Sequence, residues 1–181
     1  ELSLVMLSHK ALFKNDAEAQ YLVAKQLSTN AQRLLSTSNS GHSNKKTVVE
    51  LKNGEQDIRF HDSTTARDTV IAFQLFGSCK DTLPEASYEY GKLLLIDGHW
   101  ASPDSGEINF LDHGVSYIHR AANSKIPGSL SLLGRIMLYG LYGQDKHEEF
   151  ALELLEEAAK DNDSIAMFEL AEINFNLKKY D

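Results

Sequence analysis

One spacing pattern constrains this chain more than any other feature. A small residue is followed at alternate positions by two larger ones, and a second small residue closes the pattern five places after the first. It reads Ala19-x-Tyr21-x-Val23-Ala24, Ala86-x-Tyr88-x-Tyr90-Gly91, Ser129-x-Ser131-x-Leu133-Gly134 and Ala166-x-Phe168-x-Leu170-Ala171. A second element precedes each copy: Ala11-Leu12, Ser78-Cys79, Ala121-Ala122 and Ala158-Ala159, the later member always seven residues upstream of the first small residue. Self-similarity of this kind identifies a repeat array, in which a unit buries its apolar stripe only against its neighbours.

Equivalent positions lie 43 residues apart from Ala86 to Ser129 and 37 apart from Ser129 to Ala166. Each unit therefore has room for two helices, A then B. The constant seven predicts a tight, fixed turn from B into the next A, and length varies only in the A-to-B connection. Glycine inside a helix costs about 1 kcal/mol relative to alanine. Gly91 and Gly134 in mid-helix therefore predict close approach of a partner backbone, and the reading sets them against Ala121 and Ala158. The apolar phases agree: Ala86, Tyr90, Leu93 and Leu94 make one stripe, while Leu154, Leu155, Ala158 and Ala159 make another behind an outer face of Glu149, Glu153, Glu156 and Glu157. Asn30, Gly98 and Gly140 stand where a left-handed residue would end helix A, and Pro84 and Pro127 stand at its start.

The small-x-aromatic-x-large-Gly helix, the Ala-Ala pair and the fixed B-to-A spacing resemble the Sel1-like repeat, a relative of the tetratricopeptide repeat. The resemblance covers residues 1–27 and about 62–181, and its best single unit runs from Ser129 to Ala166, with Gly140, Gly143, Ala151, Ala158 and Ala159 at the family's small positions. Ser131 replaces the usual aromatic, and His113 with Gly114 stands where Lys-Ala is usual. The resemblance implies an all-α, right-handed α-solenoid of about three and a half helix pairs over residues 1–181. The structural repeat positions are Ala19, Ala24, Ala86, Gly91, Ala121, Ala122, Gly134, Gly140, Ala158, Ala159, Ala166 and Ala171. It also implies an adaptor that holds a protein or peptide in the concave groove lined by its A helices, within a larger and in some relatives membrane-associated complex. The alternatives are a regulatory or substrate-docking module of a larger enzyme, and a tetratricopeptide-type clamp for acidic tails.

One segment breaks the period. Ala19 to Ala86 spans 67 residues, so residues 31–61 read as a polar insert between helix A at about 16–28 and helix B at about 64–78. Asn53-Gly54 between two β-prone runs signals a hairpin with a type I′ turn. A smaller insert at 99–107 carries Trp100.

Composition excludes several function classes. With 42% hydrophobic and 24% charged residues, the 181-residue chain is an ordinary globular one. A net charge of −8 without any run of more than two basic residues offers no footprint for nucleic acid or anionic membrane. No stretch of 18 apolar residues is present for a bilayer span. The single cysteine, Cys79, reads as a buried structural thiol, and the chain, which does not open on Met, reads as a fragment of a longer, cytoplasmic protein. His113 and His119 lie six apart, on different helix faces, and no nucleophile, phosphate loop or metal-ligand spacing accompanies them, so no catalytic residue, metal or cofactor is expected. Asn162-Asp163-Ser164 has the form of a glycosylation sequon.

The position six beyond the first small residue holds Lys25, Lys92, Arg135 and Glu172. It turns away from the B-helix contact, toward the groove. Lys25, Lys92 and Arg135 are therefore the candidate contacts for an acidic or carboxylate-bearing segment of a partner, with Tyr21 and Tyr88 supplying contact area.

Overall fold

The computed structural model describes residues 8–11, 14–38, 46–50, 56–60, 63–97 and 110–178. They fall into two compact units, Glu1–Cys79 and Lys80–Asp181. In the first, a helical segment at 8–11 (α1) is followed by α2 (Ala17–Ser38), the strands β1 (Lys46–Glu50) and β2 (Gln56–Phe60), and α3 (Ser63–Cys79). The second holds α4 (Pro84–Asp97), α5 (Phe110–Asn123), α6 (Ser129–Tyr139), a 3-10 turn at Leu141–Gly143, α7 (Glu148–Lys160) and α8 (Ser164–Lys178). The A helices are α2, α4, α6 and α8, and the B helices are α1, α3, α5 and α7. In the second unit each helix packs on its neighbour in sequence, and α6 also touches α8. That nearest-neighbour ladder is the connectivity of an α-solenoid.

The first small residue of every A helix is buried to 3% exposure or less, at Ala19, Ala86, Ser129 and Ala166. The fixed seven-residue step into it has one geometry. Lys125 and Asn162, each four residues upstream of that small residue, adopt left-handed backbone with φ 54° and 60°, as does Asn15 at the same offset in the first unit with φ 50°. The chain closes by a bond from the Ile126 N–H to the Ala121 carbonyl (3.1 Å) and, one repeat later, from the Asp163 N–H to the Ala158 carbonyl (3.2 Å). The buried Ala121, Ala122 and Ala158 thus sit at the end of helix B, where the turn closes.

Gly91 and Gly134 are contact glycines, but their partners differ from the expected alanines. A Cβ on Gly91 would lie 3.0 Å from the Gly114 carbonyl oxygen and from Ile118 Cδ1, and one on Gly134 would lie 2.9 Å from Leu155 Cγ and 3.3 Å from the Ala151 oxygen. The pairing is antiparallel, so mid-helix meets mid-helix, whereas Ala121 and Ala158 are near the far ends of α5 and α7. The opposing small residues are Gly114 and Ala151. Ile118, Leu133, Ile136 and Leu155 fill the space around these contacts and are fully buried.

Helix ends show one success and one correction. Gly140 ends α6 in left-handed conformation (φ 64°, ψ 41°), its N–H bonded to the Ile136 carbonyl. Asn30 ends nothing: the good helix formers Ala31-Gln32-Arg33-Leu34-Leu35 carry α2 on to Ser38, so the insert begins eight residues later than expected. Gly98 and Trp100 lie outside the described residues. Within the insert β1 and β2 pair antiparallel, with Lys46 opposite Phe60, Val48 opposite Ile58 and Glu50 opposite Gln56. Asn53-Gly54 itself lies outside the described residues.

Among the described residues the two strands pair only with each other, and a lone hairpin is marginally stable in water. Replacing residues 39–61 with a short Gly/Ser link is therefore expected to leave the helical circular dichroism signal intact. Loop closure changes stability by only about 1 kcal/mol for such a shortening. Collapse of the signal would make the hairpin part of the core.

Candidate partner-binding surface

On α4 and α6 the second position of the pattern is a pin between repeats. Tyr88, half-buried on α4, donates its hydroxyl to the Gly128 carbonyl (3.1 Å) at the start of α6. Burial pushes its phenol up to about 12. Ser131 holds the same place on α6, and its hydroxyl reaches Asp163 Oδ2 (2.7 Å) at the start of α8. Asp163 in turn accepts the Ile165 and Ala166 N–H groups on Oδ1 (2.9 and 3.3 Å), capping α8. Asp163 was missed as a functional position because the triplet around it reads as a sequon. An Asp before a helical run is an N-cap signal that would have found it.

The basic row occupies the expected register, and each member is already engaged. Lys92 stands over the Tyr88 ring, 4.5 Å from its centroid, and pairs with Glu89 at 2.8 Å. Arg135 Nε lies 2.7 Å from Glu169 Oε1, and the Tyr139 hydroxyl donates to Glu169 Oε2 at 2.6 Å. Glu169 is 5% exposed, so this carboxylate is held between two helices by a cation and a phenol. The bond to Glu169 and partial burial push the Tyr139 phenol up to about 12. Glu169 stands three residues before Glu172, the residue at the row's own register, and it is Glu169 that reaches back to Arg135.

In the first unit, Lys25 donates to the Tyr21 hydroxyl (3.1 Å) with its Nζ 5.4 Å from the ring centroid, and Tyr21 packs at 5.9 Å on the fully buried Phe76. The aromatic–cation pair four residues apart thus occurs on two A helices, once in each unit. A further cluster was not foreseen. Lys80 Nζ lies 5.8 and 5.7 Å from the ring centroids of Tyr90 and Tyr117, which meet edge-on at 5.2 Å, and 2.7 Å from Asp81 Oδ2. Arg120 holds the other oxygen of Asp81 at 2.8 Å. The bond between them raises Lys80 and lowers Asp81 from their ordinary values.

The sequence separates Asp81 from Arg120 by 39 residues, and only the fold brings them together. Among the described residues no group of three His, Cys, Asp or Glu side chains is placed to hold a metal, and no helix is long and apolar enough to cross a membrane. Cys79 is buried.

The phenols supply a direct check on this geometry. Of the seven tyrosines, Tyr88 and Tyr139 are expected to ionise late, near pH 12, in an ultraviolet phenolate titration. Glu169→Gln should bring Tyr139 back toward the ordinary value near 10. The unfolded chain loses these protons first, so stability falls as pH rises from about 10 to about 12. If every tyrosine titrates together near pH 10, the burial of Tyr88 and the Tyr139–Glu169 hydrogen bond are both wrong.

No family model matches the sequence, and no curated protein does. Among solved structures, the crystal structure of a Sel1 repeat protein from Oxalobacter formigenes is similar to 93% of this chain and 97% of its own, with a TM-score of 0.49 and 21% identity.

Proposed function

We propose that the chain is a protein-interaction adaptor whose A-helix surfaces hold an acidic or carboxylate-bearing segment of a partner, in a cytoplasmic complex. The observation that carries this reading is the repeated pair of a tyrosine and a lysine one turn later, Tyr21–Lys25 and Tyr88–Lys92, with the ammonium standing over the ring. A lysine placed in this way has lost much of its rotamer freedom before any partner arrives, so less entropy is spent when it meets a carboxylate. The aromatic offers flat apolar area beside the charge. Arg135 belongs to the same register, and its charge is shared with Glu169.

The test compares the wild type with a variant carrying Lys25→Glu and Lys92→Glu. Arg135 is left in place, because its charge is shared with the buried Glu169. A panel of labelled acidic peptides with free C-termini, titrated by fluorescence anisotropy, should bind the variant at least about tenfold more weakly, with the difference shrinking in high salt. Equal affinity for every peptide at low and moderate salt, in a variant that melts normally, rules the row out as the binding site.

A further inference from the structure

The A-helix row changes sign along the second unit. On α4 the tyrosine–lysine pair sets the Lys92 ammonium 4.5 Å from the Tyr88 ring centroid, and its partner there is the i,i+3 surface residue Glu89. Two A helices on, α8 holds Phe168 and Glu172 at the same two registers, so an aromatic is followed by an anion where α4 has a cation. Phe168 is 66% exposed, and Glu172 is exposed as well. The charge of Glu172 bears on the Tyr139 phenol of α6, which places it on the side of α8 along which the row runs. Among the described residues no cation is ion-paired with it. On α6, between the two, Asp163 takes the Ser131 hydroxyl and Glu169 takes the charge of Arg135. The row therefore has a neutral middle and two ends of opposite sign.

Each end selects its own ligand chemistry. A lysine held over a tyrosine ring suits a carboxylate. An exposed aromatic one turn from a carboxylate suits a cation, since an Arg or Lys side chain gains from the negative face of the ring and from the ion pair together. A second carboxylate at α8 would meet Glu172 and the nearby Glu169 and be repelled, so a wholly acidic segment fits only half of the row. The three helices follow one another directly: Tyr88 of α4 bonds the start of α6, and Arg135 of α6 reaches Glu169 of α8. Packed helices lie about 8 to 10 Å apart, so the two steps from α4 to α8 cover roughly 20 Å. An extended segment rises about 3.3 Å per residue, which puts its two charges about six residues apart.

We infer that the partner segment held on this row carries both signs of charge: a carboxylate that meets Lys92 and, about six residues away, a basic side chain that lies on Phe168 and pairs with Glu172. The inference rests on the adaptor reading and narrows it from acidic segments in general to mixed-charge ones. Labelled peptides with blocked termini, each bearing one Glu and one Arg about six residues apart in either chain order, are titrated by fluorescence anisotropy. In the order that binds more tightly, replacing the peptide's Arg with Gln should weaken binding to the wild type about fivefold or more and leave binding to Glu172→Gln unchanged. A peptide with Glu in place of that Arg should bind Glu172→Lys more tightly than it binds the wild type. Phe168→Leu should weaken the Arg peptide and spare the Gln peptide. Both side chains are exposed, so these variants should melt with the wild type. The inference falls if the peptide's Arg counts equally for the wild type and Glu172→Gln, or if the swapped charges restore nothing. The adaptor reading survives that result so long as the Lys25→Glu/Lys92→Glu variant loses the carboxylate peptides. A wild type that binds none of the peptides overturns both.

Discussion

Gly134→Leu is expected to lower the melting midpoint of the second unit by about 10 °C or more. Even a bare Cβ at that position would come within 2.9 Å of Leu155 Cγ and 3.0 Å of its Cδ2, and Leu155 is fully buried, so it has nowhere to retreat. A leucine adds three further carbons to that clash. The helices must separate or α6 must rotate, and overpacking of this kind costs about 3 kcal/mol. In a unit of this size that is roughly 10 to 20 °C. Gly91→Leu should act in the same direction, since its nearest neighbour is the Gly114 carbonyl oxygen, a backbone atom at 3.0 Å. Glu153→Leu on the exposed face of α7 is the control and should melt with the wild type. A Gly134→Leu protein that melts within a degree or two of wild type would show that α6 and α7 do not pack in this register.

The repeat was legible because its signals are local and recur. The seven-residue step, the buried first residue of each A helix and the αL cap at Gly140 all follow from short-range sterics, and each is visible in a few consecutive residues. The contact between helices was legible only halfway. Gly91 and Gly134 announce a close approach, but which residue approaches depends on how the two helices are staggered, and the A-to-B connection that sets the stagger varies in length. Alanine pairs at 121–122 and 158–159 drew attention because they are conspicuous, while Gly114 and Ala151, single small residues, did the work. Asn30 misled for a different reason: asparagine tolerates left-handed backbone without requiring it, and the run after it propagates a helix. The Lys80–Asp81–Arg120 cluster and the Arg135–Glu169–Tyr139 cluster each join residues about 30 to 40 positions apart. Nothing in either stretch alone signals them.

That last cluster separates two residues the sequence treats alike. Arg135 and Lys92 hold one register on neighbouring A helices, yet Lys92 pairs with Glu89 on its own helix, both side chains in part open to solvent, and Arg135 pairs across to Glu169, which is 5% exposed. An i,i+3 surface pair contributes about 0.2 to 0.5 kcal/mol, so Lys92→Leu should barely move the melting curve. Arg135→Leu leaves the Glu169 carboxylate buried with only the Tyr139 hydroxyl to satisfy it. Removing one partner of a buried pair costs about 3 to 5 kcal/mol. Arg135 keeps 41% of its side chain exposed, and that solvent screening brings the expected loss down to about 2 kcal/mol. The double variant Arg135→Leu/Glu169→Leu should recover most of it, because an apolar pair of similar volume replaces the ions without stranding a charge. Arg135 then has a structural duty that precedes any partner, whereas Lys92 is free to be spent on one. Thermal melts of the three proteins decide it: if Arg135→Leu costs no more than Lys92→Leu, or the double variant is no better than the single, the ion pair contributes nothing to the packing of α6 on α8 and the two cations are equivalent after all.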